Sequence, residues 1–448
     1  MPPPPVRRGR AERRTEETVG TSLILAGRAL IRGRLETVEV AIGDDGRILS
    51  VGKTRVGAPR RDLGEAVLLP AATDLHVHFR DPPGSDDVED LATGTTGAAL
   101  GGVGLVGEMP NTRPPVVDAE EVEAKSARVR GRAAVDVLLY AFAPTRRVES
   151  LARVAGGFKL YLSPTTGTDE GIPMSEVPDR LRLVGAAGLP VAVHAEDPGR
   201  FDPRPRAPDP VGWNAARPPG AEESAIRALA DAPAALRLHV AHVTTAASAA
   251  LVRAQGASFE VTPHHLLLSE RSGHDARFKV NPPLRSEVER AALWEAFRTG
   301  EVPIVASDHA PHAAPEKDRP FPLAPSGVPG VETMLPLLLA RVRDGSLALE
   351  TLVRTACDRP ARWIGQPMGR LAAGHRANLI AVDFRERRRV EAARLASPSG
   401  WSPFEGWEMV PIREHYRDGE RIVESGEYVG RADGRVVRPE YAPGVRAP

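Results

Sequence analysis

Ala71-Ala72-Thr73-Asp74-Leu75-His76-Val77-His78-Phe79-Arg80 is an apolar approach that ends in two histidines one residue apart. Successive side chains of an extended strand point to opposite faces, so His76 and His78 share one face while Leu75, Val77 and Phe79 take the other. Asp81-Pro82-Pro83-Gly84 then breaks the strand into a loop, which puts the pair at the strand's carboxyl end. An isolated H-x-H is a weak signal, and a satisfied pair of polar residues would read the same way.

The pattern around it is stronger. Counting 71–78, apolar runs of strand length recur at 103–109, 135–140, 157–162, 190–194, 236–242, 259–263 and 303–307. Helical stretches fall between and after them, among them 118–129, 175–187, 222–229, 246–255 and 287–298, several opening with Asp, Ser or Glu. Continuous apolar runs suit parallel strands covered on both faces. Eight such units in succession predict an α/β chain folded as a (β/α)8 barrel. An open doubly wound sheet is the alternative, but no G-x-G-x-x-G follows the first run.

Short alternating segments at 23–25, 38–42 and 48–51 return at 378–382 and 421–423, which predicts a small β-sandwich domain formed by the N- and C-terminal segments. The organisation expected is a disordered extension over 1–21, opening on four prolines, then the N-terminal half of the sandwich over 22–67. The barrel takes 68–368, and the C-terminal half of the sandwich with the tail takes 369–448.

The 448 residues balance 59 basic against 59 acidic side chains, which leaves no electrostatic footprint for nucleic acid. No apolar run is long enough to span a bilayer. A single cysteine, Cys357, and an N-terminus without a secretory apolar core point to a reducing, cytoplasmic setting.

Polar residues line up with the carboxyl ends of the strands, where barrel enzymes place their chemistry: His76 and His78, then Asn111, Lys159, His194, His242 and Asp308. Only five of the 59 basic residues are lysine. A lysine kept inside Phe158-Lys159-Leu160-Tyr161-Leu162 suggests a task that guanidinium cannot perform, namely losing its proton and reacting as an amine. Reaction with CO2 would give an anionic carbamate able to bridge two metal ions.

Asp74 to Pro82, Met109-Pro110-Asn111-Thr112, Phe158-Lys159-Leu160-Tyr161, Val193-His194-Ala195-Glu196-Asp197, Ala241-His242-Val243-Thr244, Val261-Thr262-Pro263-His264-His265, Asn281-Pro282-Pro283-Leu284-Arg285 and Ser307-Asp308-His309-Ala310-Pro311-His312 closely resemble the dihydroorotases of the amidohydrolase superfamily. The resemblance implies a binuclear zinc centre: His76 and His78 on one ion, His194 and His242 on the other, a CO2-derived carbamate on Lys159 between them, and Asp308 as ligand and proton shuttle. It also implies that Arg80 and Asn111 clamp the substrate carboxylate, that Asn281 and His312 contact the ring, and that the loop carrying Ser326 and Gly327 closes over it, with His78 also near the substrate. The activity implied is reversible interconversion of dihydroorotate and N-carbamoyl-aspartate in pyrimidine synthesis. A homodimer or a complex with a pathway enzyme is the partnership expected.

Imidazole and carboxylate oxygen suit zinc, and a metal pair makes hydroxide available near neutral pH. The loop 324–330 resembles that of allantoinases as much as dihydroorotases, so an allantoinase or hydantoinase-type cyclic amidohydrolase is the second reading; a non-catalytic barrel is the third. Of the other histidines, His264 and His265 read as supports of the ligands or as packing, His239 as core, and His309 as turned away from Asp308. His274, His375 and His415 read as solvated loop residues.

Overall fold

The computed structural model describes residues 20–54, 57–84, 88–146, 148–168, 170–202 and 207–441. The expected N-terminal extension lies outside these residues except for Gly20 and Thr21, and Thr21 already opens the first strand. Four strands come first: β1 (Thr21–Ile31), β2 (Arg34–Gly43), β3 (Ile48–Gly52) and β4 (Arg60–Pro70). Eight follow at the predicted positions: β5 (Ala72–Val77), β6 (Val103–Glu108), β7 (Asp136–Phe142), β8 (Gly157–Tyr161), β9 (Pro190–His194), β10 (Arg237–Val240), β11 (Ser258–Val261) and β12 (Ile304–Val305). The last seven are β13 (Leu379–Val382), β14 (Arg388–Arg389), β15 (Glu408–Met409), β16 (Ile412–Arg417), β17 (Glu420–Glu424), β18 (Glu427–Tyr428) and β19 (Val436–Val437).

Strands β5 to β12 pair in sequence order, each parallel to the next. The ends meet through a parallel bridge between Val77 and His309, where the His78 N–H donates to the His309 carbonyl at 2.7 Å. This is the (β/α)8 barrel. Alternation along each strand divides the side chains as a closed barrel requires. On β7, Val137, Leu139 and Ala141 join the large helix-facing core, while Leu138 and Tyr140 pack inside with Leu105, Ala192 and Ile304. On β8, Phe158 and Leu160 face the helices, so Lys159 faces inward.

Strands β5 and β6 depart from strict alternation, β6 with Val103 in the helix-facing core and Leu105, two residues on, inside. Val77 and Phe79 lie in the helix-facing core as expected, but Leu75 packs in the interior group. The β5–β6 register slips between Asp74 and Val77, and such an irregularity re-aims the side chains on either side of it.

Helix starts follow local chemistry. Asp118 accepts from the Glu121 N–H at 3.0 Å ahead of Ala119–Val129, and Ser286 with Glu289 forms a capping box ahead of Glu287–Arg298. Glu222, read as a helix start, instead lies inside Pro219–Ala228. Its buried carboxylate accepts from the Thr244 N–H and hydroxyl at 2.9 Å each.

The outer segments form one eight-stranded sheet in the order β18-β17-β16-β13-β4-β1-β2-β3. Its apolar core takes Leu25, Val40, Ile42, Ile48, Leu68, Leu379 and Tyr416 from the sheet's own strands and none from a helix. β4 runs to Pro70, past residue 67, and β19 pairs with β7 of the barrel. His415 is not a solvated loop residue. It is fully buried on β16 and donates from Nδ1 to the Ala99 carbonyl at 2.8 Å, fastening the sheet to the helix Leu91–Leu100. Among the described residues no helix is long and apolar enough to cross a membrane.

Candidate active site

At the carboxyl end of the barrel the structure brings six predicted side chains together. His76 Nε2 lies 3.2 Å from His78 Nε2 and 3.2 Å from Lys159 Nζ, and Asp308 Oδ1 is 3.3 and 3.2 Å from the same two imidazole nitrogens. His194 Nδ1 and His242 Nε2 are 3.0 Å apart, and the rings of His76 and His242 are 5.3 Å apart. All six are buried or nearly so.

The outward nitrogens explain how these groups are aimed. His76 Nδ1 donates to Glu260, whose other oxygen takes His239 Nε2 at 3.0 Å. His78 Nδ1 donates to Asn111 Oδ1 at 2.7 Å. His194 Nε2 is 3.1 Å from both Glu196 and Ser163, and Glu196 is held in turn by Arg217. Burial alone would raise the pKa of Glu196 and Glu260, but Arg217 with His194, and His76 with His239, hold both carboxyls below the usual range. These carboxylate–imidazole pairs fix the tautomers in the manner of outer partners to metal ligands.

A neutral imidazole has one ring proton. Where that proton is spent outward, the Nε2 atoms of His76 and His78 face each other at 3.2 Å, an approach of two lone pairs that a bound cation relieves. Two zinc-bound nitrogens in a tetrahedral site lie about 3.3 Å apart at ordinary bond lengths, and the spacings above match. Burial lowers the pKa of His78 to about 3 and depresses His194 and His242, so these three imidazoles are neutral lone-pair donors. His76, His78 and Asp308 offer three ligand atoms within 4.8 Å of one another. The donor set fits a pair of metal ions.

Backbone strain gathers here as well. Arg80, His242 and Asp308 have φ of 55°, 39° and 46°, three of the six non-glycine residues with positive φ among the described residues. The backbone at Arg80 is therefore not extended, and Arg80 lines the same cavity as His78.

That cavity, about 350 Å³ counting its open mouth, also meets Asn111, Asn281, Ser326 and Gly327, and among the described residues Asp308 is the one carboxylate lining it. Arg80 donates to the Pro311 carbonyl at 2.6 Å. Asn111 donates from Nδ2 to the Thr166 carbonyl at 3.0 Å, and Asn281 donates to Thr165 Oγ1 at 3.2 Å. His312 does not line the cavity. It stands behind the wall, its Nε2 3.4 Å from Arg80 and 3.1 Å from the Ser326 carbonyl. Gly327 has φ of 135°, and a Cβ there would lie 2.6 Å from the Ala310 carbonyl oxygen.

Sequence reading missed Thr165 and Thr166, which line the cavity from the loop after β8, and Glu196, Glu260 and Arg217, which hold histidines of the cluster directly or through Glu196. It also missed two lysines that build the loop over the cavity. Lys279 Nζ donates to the carbonyls of Phe321, Pro322 and Ala324 at 2.7–3.2 Å, and Lys317 Nζ to those of Pro325 and Gly327 at 2.8 and 2.9 Å. His265 braces the Pro282 carbonyl at 3.0 Å, next to Asn281, while His309 pairs with Glu89 away from the cluster.

A family model described as "Dihydro-orotase-like" matches residues 65–155. The chain is 35% identical over 428 residues to a dihydroorotase of Halobacterium salinarum, covering 93% of this chain and 99% of that protein. It is 33% identical over 435 residues to one of Pyrococcus furiosus, covering 93% and 96%. Among solved structures it is similar to an L-hydantoinase (dihydropyrimidinase) from Arthrobacter aurescens, with a TM-score of 0.85 at 25% identity over 93% of this chain and 100% of that one. A D-hydantoinase from a Bacillus species shares the fold at a TM-score of 0.84 and 23% identity, covering 93% and 99%.

Proposed function

The chain belongs to the dihydroorotase family, and on that premise we propose that it interconverts dihydroorotate and N-carbamoyl-aspartate, a ring-forming step of pyrimidine synthesis. The observation that carries this reading is the Arg80 guanidinium in the wall of a cavity whose floor is the histidine–aspartate cluster. Both substrates present a carboxylate that stays intact, and a planar cationic fork suits it.

We assign His76 and His78 to one zinc ion, His194 and His242 to a second, and Asp308 to the first. Lys159 is fully buried, which lowers its pKa to about 8 and holds a reactive amine within reach at mild alkalinity. Uptake of CO2 there, with loss of the amine proton, gives a carbamate whose oxygens would join the two histidine pairs. Metal ions so held supply an acidified water near neutral pH and polarise the amide carbonyl. Asp308 Oδ1, 3.2–3.3 Å from His76 and His78, takes the proton released at the attacking water and returns it to the departing ring nitrogen.

Arg80 and the remaining N–H of Asn111 bind the substrate carboxylate. Asn281, Ser326 and Gly327 border the ring, and His312 acts through Arg80 and Ser326, which it touches. Within this reading residues 68–368 are the catalytic unit and 22–67 with 369–448 its supporting sheet. The enzyme works in the cytoplasm as a homodimer or beside a pathway enzyme.

The solved hydantoinases favour a second reading, a cyclic amide without a carboxylate. Purified protein supplied with zinc and bicarbonate decides between them. Turnover of dihydroorotate that exceeds turnover of hydantoin or allantoin supports the proposal; the reverse order overturns it.

A further inference from the structure

The opposite end of the barrel, where β11 and β12 begin, carries a second cavity of about 840 Å³ counted in the same way. Its inner wall is apolar, with Phe259, Ile304 and Trp363, and its rim holds the guanidiniums of Arg253, Arg359 and Arg362 against the single carboxylate of Glu301. Glu301 is already paired with Arg253. Among the described residues neither Arg359 nor Arg362 has a carboxylate partner, and neither does their neighbour Arg354, whose Nε is buried without any hydrogen bond. Burial and the charges of Arg354 and Arg362 lower the pKa of Arg359 against the opposing pull of Asp358, whose carboxylate is paired with Arg370. Arg359 Nη1 donates to the Val302 carbonyl at 3.1 Å, and the two forks stand at the mouth of a cavity whose room for a bound molecule, about 320 Å³, lies at the lower end of small-ligand sites.

This cavity is wired to the other end of the barrel. Ser258 lines it, and its hydroxyl is 3.1 Å from His239 Nδ1. His239 Nε2 is 3.0 Å from Glu260, and Glu260 accepts from His76 Nδ1. The Trp363 ring lies 5.7 Å from the His239 ring, so an occupant pressing on that wall also meets the same histidine. Every link is buried except Ser258 at the cavity end.

We propose that this basal cavity binds a small phosphorylated metabolite, its phosphate on Arg359 and Arg362 and its organic body on the apolar wall, and that occupancy adjusts His76 through Ser258, His239 and Glu260. Guanidinium forks suit a phosphate dianion bidentately. The adjustment rests on the reading of His76 as a metal ligand; the binding does not.

Calorimetry on the zinc-loaded protein with inorganic phosphate, uridine monophosphate and adenosine monophosphate tests both the binding and the coupling. Saturable binding is expected, at least tenfold tighter for a nucleoside monophosphate than for phosphate alone. The double variant Arg359→Gln/Arg362→Gln should weaken it at least tenfold while leaving unliganded dihydroorotate turnover unchanged. In the intact protein the bound nucleotide should shift kcat/KM or zinc affinity at least threefold, and His239→Gln should remove that shift while nucleotide binding persists. No saturable binding, or binding undiminished in the double variant, overturns the site. Binding that moves neither kcat/KM nor zinc affinity overturns the coupling. If the protein fails to turn over dihydroorotate, calorimetry still decides the binding and zinc affinity still decides the coupling.

Discussion

Replacing Arg80 by lysine keeps a cation in the cavity and removes the planar fork. Arg80 is buried and anchored on the Pro311 carbonyl at 2.6 Å, so its guanidinium is held in place before substrate arrives. A hydrogen bond to a charged group contributes about 1.5–3 kcal/mol. Lysine recovers one of the two expected from a carboxylate, which leaves a loss of about 1.5–3 kcal/mol, or about 10- to 150-fold in kcat/KM. Arg80→Gln also strands the substrate's charge in a buried site and should cost about 1000-fold or more. The assay is spectrophotometric turnover of dihydroorotate with zinc content measured on the same samples, and hydantoin serves as a ring without a carboxylate. Dihydroorotate turnover should fall while the small hydantoin activity stays within about twofold. A loss under about threefold for Arg80→Lys, with zinc content intact, refutes the carboxylate assignment.

Glu260→Gln leaves His76 in place but weakens the hold on its Nδ1, so zinc affinity should drop about 10- to 100-fold; competition with a chelator measures it, and unchanged affinity would remove Glu260 from the centre. Lys317→Met strands the carbonyls of Pro325 and Gly327. Limited proteolysis should then cut between Phe321 and Ser326, and KM should rise more than kcat falls. His415 is buried neutral with its pKa lowered to about 4 by burial, against 6.5 in the unfolded chain. The unfolded state therefore binds the extra proton first, and stability present above pH 6.5 is lost as pH falls toward 4, by about 3 kcal/mol. His415→Gln should flatten the acid limb of denaturant-derived stability by up to about 1.4 kcal/mol per pH unit; an unchanged slope would mean that His415 is accessible.

The barrel was legible because both faces of a parallel strand are buried and eight apolar runs repeat at βα spacing. The residues proposed as ligands were legible as a group because each sits on or at the carboxyl end of such a run, where chemistry-bearing side chains are out of place in a core. Their supports were not. Glu260 meets its histidines 21 and 184 positions away in the chain, and Glu196, although only two residues from His194, is fixed by Arg217 21 positions on, so local spacing does not tell a buried support from an exposed carboxylate. The scarcity of lysine was a better signal than its use on Lys159 alone suggested. Lys125, Lys279 and Lys317 are buried as well, paired with Glu108 or gripping loop carbonyls with a compact ammonium, and only Lys53 of the five is exposed. His415 went astray because its strand pairs far from the residues that bury it, and a short polar-looking segment gives no hint of that docking. The bend at Arg80 was likewise invisible, since a positive φ on arginine is imposed by the surroundings and not by its own preference.

The central claim is that two histidine pairs, Lys159 and Asp308 hold two metal ions beside Arg80. Crystals of the zinc-loaded protein with N-carbamoyl-aspartate, measured at the zinc absorption edge, test it directly. Two anomalous peaks are expected, one against His76, His78 and Asp308 and one against His194 and His242, with density extending from Lys159 Nζ to both and the ligand carboxylate on Arg80. A single peak, peaks elsewhere, or an unmodified Lys159 with the carboxylate turned from Arg80 would contradict the account.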